Sequence, residues 1–188
     1  MSIRTRAVAA PELPEVFTRW FQSRGWTPRD HQLELLAKAQ AGRSSLLIAP
    51  TGGGKTLAGF LPTLVELSQG TSPTRKAGRA PVSTGRGVRR AGGLHTLYIS
   101  PLKALAVDIA RNLETPVAEM SLPIRIETRT GDTPASKRQR QRRDPPDILL
   151  TTPEQLALLL ASADAPYIFG SLCRVVLDEL HSLVLSKR

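Results

Sequence analysis

The stretch from Ala49 to Thr56 reads APTGGGKT, with three consecutive glycines before a lysine and a threonine. A short apolar run, residues 45–49, leads into this stretch. Residues 55–67 follow and carry apolar side chains at helical spacing. Glycines let backbone N–H groups approach phosphate oxygens without a Cβ in the way, and the start of a helix favours anions. The order of strand, glycine loop and helix therefore predicts a phosphate-binding loop.

The loop residues suggest which atoms bind a nucleoside triphosphate. We expect the Lys55 ammonium to contact the β- and γ-phosphates and the Thr56 hydroxyl to hold Mg²⁺. The common pattern begins with glycine where this chain has Ala49. A glycine-rich turn without a ligand is the alternative interpretation. The residues predicted to bind ATP within the loop are Thr51, Gly52, Gly53, Gly54, Lys55 and Thr56.

A second motif follows an apolar run near the end of the sequence. Residues 174–177 read RVVL and lead directly into Asp178 and Glu179. Asp178 is suited to hold Mg²⁺, directly or through water, and Glu179 to orient and deprotonate an attacking water. Two acids after a strand are weak evidence alone, but together with the phosphate loop they predict ATP hydrolysis with Lys55, Asp178 and Glu179 as catalytic residues.

Apolar segments of strand and helix length alternate along the chain, which predicts an α/β fold: a mainly parallel sheet with helices on both faces. Ligands of such sheets bind at the carboxyl ends of the strands. We expect N-terminal helices within residues 1–44 and a nucleotide-binding domain at 45–188, with Pro62 kinking or breaking one helix. The predicted strands are 45–49, 94–99, 124–128, 148–150 and 174–178, and the later helices are 55–67, 102–113, 134–143 and 153–161.

The charge is strongly positive: 26 Lys and Arg against 16 Asp and Glu give a net charge of +10. The excess lies in residues 70–93, predicted to be a flexible basic loop, and in residues 137–143. This excess of positive charge favours a polyanionic partner. A solvated surface explains the charge too, and the basic loop is alternatively an insertion without a role. The lone Cys173 is expected to be a small buried hydrophobe. Neither a signal peptide nor a membrane-spanning run is recognisable, so we expect a cytoplasmic protein.

Taken together, the two nucleotide motifs resemble motifs I and II of the superfamily 2 DExH-box helicases. Further matches lie between them in the same order: residues 100–105 (SPLKAL), 129–133 (RTGDT) and 151–156 (TTPEQL) resemble the motifs that contact nucleic acid. Pro28 with Gln32 resembles the adenine-reading Q motif. The sequences of these motifs resemble those of the large helicase-related (Lhr) DNA helicases, particularly their bacterial ligase-associated branch.

The resemblance implies a RecA-like P-loop NTPase domain and assigns further roles. Gln32 would bond the adenine edge, and His181 would couple the ATP site to the rest of the motor. The alternatives are that Gln32 faces solvent and that His181 is a polar residue without a coupling role. For each residue of the motifs that contact nucleic acid, the alternative is a structural role in a turn or as a helix N-cap. The residues implied to contact nucleic acid, DNA rather than RNA by the branch resemblance, are Pro101, Lys103, Arg129, Thr130, Gly131, Thr152 and Pro153.

The resemblance covers only the first half of a helicase motor, because motif III and a second RecA-like domain are missing from this sequence. Since an arginine finger from the second domain can be worth about 10³–10⁵ in rate, we expect a fragment of a longer helicase with little activity of its own. The family suggests a role in DNA repair and association with a DNA ligase or nuclease. A non-catalytic, nucleotide-modulated nucleic-acid-binding module is the alternative function.

Overall fold

The computed structural model describes residues 11–50, 52–70 and 93–185. It divides into two compact units, Met1–Val65 and Glu66–Arg188. The division falls inside one helix, and each unit is described by itself. Most of the predicted basic loop, residues 71–92, lies outside the described residues, as does Thr51. No helix in the described part of the chain is long and apolar enough to cross a membrane.

The first unit is helical. Helix α1 (Glu15–Ser23) buries Phe17, Trp20 and Phe21, the spacing that the sequence predicts for one helical face. Helix α2 is Asp30–Gln40, and helix α3, Lys55–Gln69, begins at the end of the glycine loop.

The strand predicted at residues 45–49 is not formed. These residues have no regular secondary structure, and Leu46 and Ile48 are 71% and 88% exposed. A strand requires a neighbour to pair its N–H and C=O groups, and no described strand pairs with this segment. An apolar run supplies the propensity for a strand but not the partner, and here the prediction from the run was wrong.

Of the kink or break expected at Pro62, the break is absent, since α3 continues through this residue without interruption. Pro62 has no N–H to donate, which normally destabilises a helix interior. The residues around it are buried, including Phe60, Leu61, Leu64 and Val65, and burial of such side chains outweighs the lost hydrogen bond.

The second unit contains a four-stranded parallel sheet in the order β2-β3-β1-β4. In the register of the sheet, Tyr98 lies level with Leu150 on one side and Val176 on the other. Because all strands run the same way, the segments that follow them leave the same edge. The strands are β1 (Thr96–Ile99), β2 (Ile126–Arg129), β3 (Ile148–Thr151) and β4 (Arg174–Leu177).

Helices connect these strands: α4 (Lys103–Glu119), α5 (Ala135–Arg143), α6 (Pro153–Leu160), α7 (Ala165–Phe169) and α8 (Leu180–Leu185). Leu159 and Ile168, on α6 and α7, join Leu97, Ile99 and Leu149 in one core cluster. Helix α4 contacts β2 and β3, and the right-handed rule for crossover connections places it on the opposite face from α5, α6 and α7. The α/β sheet predicted from the sequence is therefore confirmed.

Some helices differ from their predicted extent. Helix α4 runs six residues beyond the predicted end at Leu113, with Pro116 and Val117 buried inside it. Helices α7 and α8 are short, five and six residues, and the sequence reading missed them because so few residues show no helical period.

Candidate nucleotide and nucleic-acid site

The glycine loop has the backbone conformations that only glycine adopts easily. Gly52 and Gly54 have φ angles of +76° and +71°. A Cβ on Gly53 would stand 2.8 Å from the Pro50 carbonyl oxygen, so no larger residue fits there without movement. Lys55 is the first residue of α3 and is exposed, with no ion pair to any described residue. A loop that excludes Cβ atoms beside a free lysine fits the triphosphate predicted from the sequence.

Gln32 does not face solvent, because it is only 4% exposed. Its Oε1 accepts the Arg29 N–H at 2.9 Å, and its Nε2 donates to the Gly54 carbonyl at 3.4 Å. The side-chain amide that the resemblance assigns to the adenine edge thus bonds the protein through both of its groups here. Gln32 joins the start of α2 to the phosphate loop.

The acidic motif lies directly after β4. The Asp178 carboxylate accepts the Tyr98 hydroxyl at 2.6 Å through Oδ2 and the Glu179 N–H at 2.9 Å through Oδ1. Glu179 has a φ of +48°, the left-handed region that side chains avoid, and such strain is typical of functional positions. The Nδ1 atom of His181 lies 3.4 Å from Glu179 Oε2. The two carboxylates are thus oriented by neighbours within their own unit.

Asp178 fits magnesium by its donor chemistry. Mg²⁺ is bound in such sites by one or two carboxylates together with substrate phosphates and waters, so no all-protein cage is needed. In the described ranges no three His, Cys, Asp or Glu side chains gather into such a cage. Burial first, and then the hydrogen bond and charge of Asp178, raise the pKa of Tyr98 well above its usual value, so its hydroxyl remains a donor to the carboxylate.

The segment after β1 holds the first of the predicted nucleic-acid contacts. Ser100 Oγ accepts the Leu102 N–H at 3.3 Å, which shapes the turn containing Pro101. Lys103, the first residue of α4, forms an ion pair with Asp132 in the loop after β2. The ion pair connects two of the motifs and neutralises one of the predicted phosphate contacts.

The segment after β2 is more buried than expected for a nucleic-acid contact. Arg129 is 3% exposed, and its Nη1 donates to the Arg138 carbonyl of α5 at 3.1 Å. Its Nε has no hydrogen-bond partner among the described residues. Burial, and the nearby Arg142 and Arg138, lower the pKa of Arg129. Its guanidinium is therefore a buried cation without a carboxylate partner in this part of the chain.

The segments that follow β2 and β3 lie side by side. Thr130 donates its N–H to the Thr133 hydroxyl at 2.9 Å, next to the exposed Gly131. Thr151 donates to the Arg129 carbonyl at 2.8 Å. Thr152 precedes Pro153 at the start of α6 in extended conformation and makes no side-chain cap bond. The Thr152 hydroxyl is therefore not used by its own helix.

These segments form one edge of the second unit, because each follows the carboxyl end of a parallel strand. Residues 100–103, 129–133, 151–153 and 178–181 leave β1, β2, β3 and β4 in turn. The sequence analysis missed Tyr98, which contacts Asp178, and the ion pair of Asp132 with Lys103. The contact of Tyr98 with Asp178 could be predicted only from the register of β1 against β4, which a single sequence does not provide.

Comparison with known proteins agrees with this geometry. The sequence model of the DEAD/DEAH box helicase family matches residues 29–188. Because the match covers most of the chain, the protein belongs to the DEAD/DEAH box helicase family.

Within that family the chain is similar to Lhr helicases. It is 40% identical to the Lhr helicase/uracil glycosylase of Escherichia coli over 94% of this chain and 12% of the relative. It is 36% identical to the ATP-dependent helicase Lhr-Core of Methanothermobacter thermautotrophicus over 91% of this chain and 19% of the relative. The structure of Mycobacterium smegmatis helicase Lhr bound to ssDNA and AMP-PNP matches with a TM-score of 0.73 and 35% identity.

That structural match covers 91% of this chain and 21% of the other, so the chain spans less than a quarter of each of these proteins. The match confirms the RecA-like fold, and the resemblance to Lhr helicases is confirmed as well. The narrower resemblance to the ligase-associated branch stays a prediction.

Proposed function

We propose that this chain is the ATP-binding part of an ATP-dependent DNA helicase motor, which couples ATP hydrolysis to movement along or unwinding of DNA. The observation that carries the proposal is the single edge of the parallel sheet. The acidic motif after β4 and the three motifs after β1, β2 and β3 share that edge. An ATP-hydrolysing site and a nucleic-acid track on one edge are what a motor needs in order to link the two.

The nucleotide would be held by the glycine loop, with Lys55 on the phosphates and Gln32 at the Q-motif position. Thr56 and Asp178 would hold Mg²⁺, which when bound neutralises phosphate charge in the transition state. Glu179 would orient and deprotonate the attacking water. The 3.4 Å distance between His181 and the Glu179 carboxylate supports the proposed coupling role of His181.

The nucleic-acid track would contact the backbone rather than the bases. Lys103, Gly131, Thr152 and the start of α6 at Pro153 offer charge, a hydroxyl and N–H groups, which suit phosphates. The buried Arg129 would add positive potential from behind Thr130. Because the solved Lhr relative is bound to ssDNA, we propose single-stranded DNA as the partner. A role in DNA repair, a ligase or nuclease partner and a cytoplasmic location belong to the same proposal and stay predictions.

The first test is binding of a fluorescent ATP analogue with Mg²⁺. Lys55→Ala removes a charge-assisted phosphate contact and should raise the dissociation constant roughly 10- to 100-fold. Lys38→Ala is the matched control, because Lys38 lies on α2 and pairs with Glu34. Equal affinity of all three proteins would contradict the proposed nucleotide site.

The second test is turnover with and without single-stranded DNA. Stimulated hydrolysis that Lys55→Ala and Glu179→Gln both abolish would support the motor function. Nucleotide binding that depends on Lys55 without any turnover would fit one half of a motor as well as the non-catalytic, nucleotide-modulated binding module. Turnover that appears only when a second RecA-like domain is supplied would then support the motor, and continued absence of turnover the binding module.

A further inference from the structure

Tyr98 is a buried polar neighbour of the acidic motif, although it belongs to none of the sequence motifs. It lies on β1 and is 2% exposed. In the register of the sheet it is level with Val176, two residues before Asp178. A strand advances about 3.3 Å per residue, so a long side chain that leans along the strand reaches a residue two positions further on the neighbouring strand. The Tyr98 hydroxyl does so and donates to Asp178 Oδ2 at 2.6 Å.

Each of the two carboxylate oxygens of Asp178 accepts one hydrogen bond. Oδ2 accepts the phenol, and Oδ1 accepts the Glu179 N–H at 2.9 Å. Each carboxylate oxygen has two lone-pair positions, so each keeps one for a cation or a water. The backbone bond alone allows the carboxylate plane to rotate about its axis, whereas the second bond from a buried strand fixes it. Because the donor is neutral, the carboxylate keeps its charge.

We propose that Tyr98 is a positioning residue for the Asp178 carboxylate, which orients the lone pairs that hold Mg²⁺ at the nucleotide. This inference rests on the proposed function, because it assumes that Asp178 serves a magnesium–nucleotide complex. Tyr98 would act through Asp178, because its hydroxyl donates to that carboxylate. Its ring fills the core as phenylalanine would, so only the hydroxyl carries the positioning role.

The test is Tyr98→Phe, which retains the packing and removes the donor. Affinity for a fluorescent ATP analogue is measured across a Mg²⁺ titration and in EDTA. Loss of a charge-assisted hydrogen bond should raise the Mg²⁺ midpoint about tenfold. Affinity in EDTA should change less than about twofold, because the glycine loop and Lys55 are untouched.

Two further variants separate positioning from packing. Tyr167→Phe is the matched control, because that hydroxyl donates to the Arg143 carbonyl at 3.0 Å, away from Asp178, and its Mg²⁺ midpoint should equal that of the wild type. Asp178→Asn should raise the midpoint by itself, and adding Tyr98→Phe to it should have no further effect. That non-additivity is expected only if Tyr98 acts through Asp178.

An unchanged or lower Mg²⁺ midpoint in Tyr98→Phe would overturn the inference while leaving the proposed function intact. An equal loss of affinity with Mg²⁺ and in EDTA would overturn it too, since packing alone would then explain the effect. Additive effects of Tyr98→Phe and Asp178→Asn would also count against it. Absence of magnesium-dependent nucleotide binding in the wild type would reject the proposed function, and this inference with it.

Discussion

At the scale of single residues, the phosphate loop depends on the two glycines with positive φ, which differ in what surrounds them. A Cβ on Gly52 would meet open space, whereas a Cβ on Gly54 would lie 2.9 Å from Gln32 Nε2. Gly52→Ala therefore adds backbone strain only, of about 1–2 kcal/mol. Gly54→Ala adds the same strain and displaces the Gln32 side chain, and we expect it to destabilise by about 2–4 kcal/mol.

Urea unfolding of both variants measures the difference. Gln32→Ala, made in the Gly54→Ala background, removes the displaced side chain and should recover part of the stability that Gly54→Ala loses. The same substitution in the Gly52→Ala background should recover none. If Gly52→Ala and Gly54→Ala prove equally destabilising, the contact between Gln32 and the loop does not matter.

Among the secondary-structure elements, a partly buried ion-pair cluster joins the end of α3 to the starts of β1 and β4. The Glu66 carboxylate contacts the Arg174 guanidinium at 2.8 and 3.2 Å, and His95 Nε2 lies 3.2 Å from Glu66 Oε2. Burial by itself would raise the pKa of Glu66, but hydrogen bonds from His95 and Arg174 outweigh it, and the pKa lies below its ordinary 4.5. The carboxylate thus stabilises the folded state.

Glu66→Gln should therefore destabilise the protein by about 1.5–3 kcal/mol near pH 7, because neutral hydrogen bonds replace charge-assisted ones to the partly buried Arg174. A lowered pKa means that the contribution is complete above the unfolded value of 4.5 and is lost as the pH falls through the folded value. The stability gap between wild type and variant should shrink below about pH 4.5. Unfolding curves from pH 7 to pH 3 measure the gap, with the exposed Glu114→Gln as control. A gap independent of pH would contradict the assignment.

The ion pair between Lys103 and Asp132 connects the start of α4 to the loop after β2 and leads to a prediction about nucleic acid. Asp132→Asn frees the Lys103 ammonium and should strengthen binding of single-stranded DNA by about three- to tenfold at low salt. High salt should cancel the gain, because released counterions drive such contacts. Asp108→Asn changes the net charge equally on the exposed side of α4. A similar gain in that control would mean that net charge, and not Lys103, causes the effect.

The elements also indicate how far the sequence alone could lead. Strands β1, β3 and β4 were predictable because apolar runs stand between turn signals and helices. The run at residues 45–49 has the same pattern but no partner strand, and pairing is a property of the sheet rather than of the run. The phosphate loop and the acidic pair were predictable because their chemistry lies in consecutive residues. Tyr98 was not, since its contact with Asp178 spans 80 positions and depends on strand register.

The distribution of charge over the described residues links the fold to its proposed partner. Helix α5 begins with Ala135 and Ser136 and continues with seven basic or amide residues, with no acid in its nine positions. Arg140 and Arg142 have carboxylates nearby, Glu127 at 2.7 Å and Asp164 at 3.9 Å. The other basic side chains form no ion pair with any described residue: Lys137, Arg138 and Arg143. They leave α5 with unbalanced positive charge beside the segment that follows β2.

Replacing these three side chains with glutamine should weaken single-stranded DNA binding in a salt-dependent way. Each lost phosphate contact lowers the slope of log K against log salt by about 0.7, so the triple variant should lose up to about 2 units of slope. Fluorescence anisotropy at several salt concentrations measures the slope. The matched control replaces Arg19, Lys38 and Arg43, which changes the net charge equally within the first unit. A DNA track along the sheet edge near α5 requires the first variant to lose slope and the control to keep it. Equal losses would mean that DNA responds to overall charge and that α5 has no special place in the track.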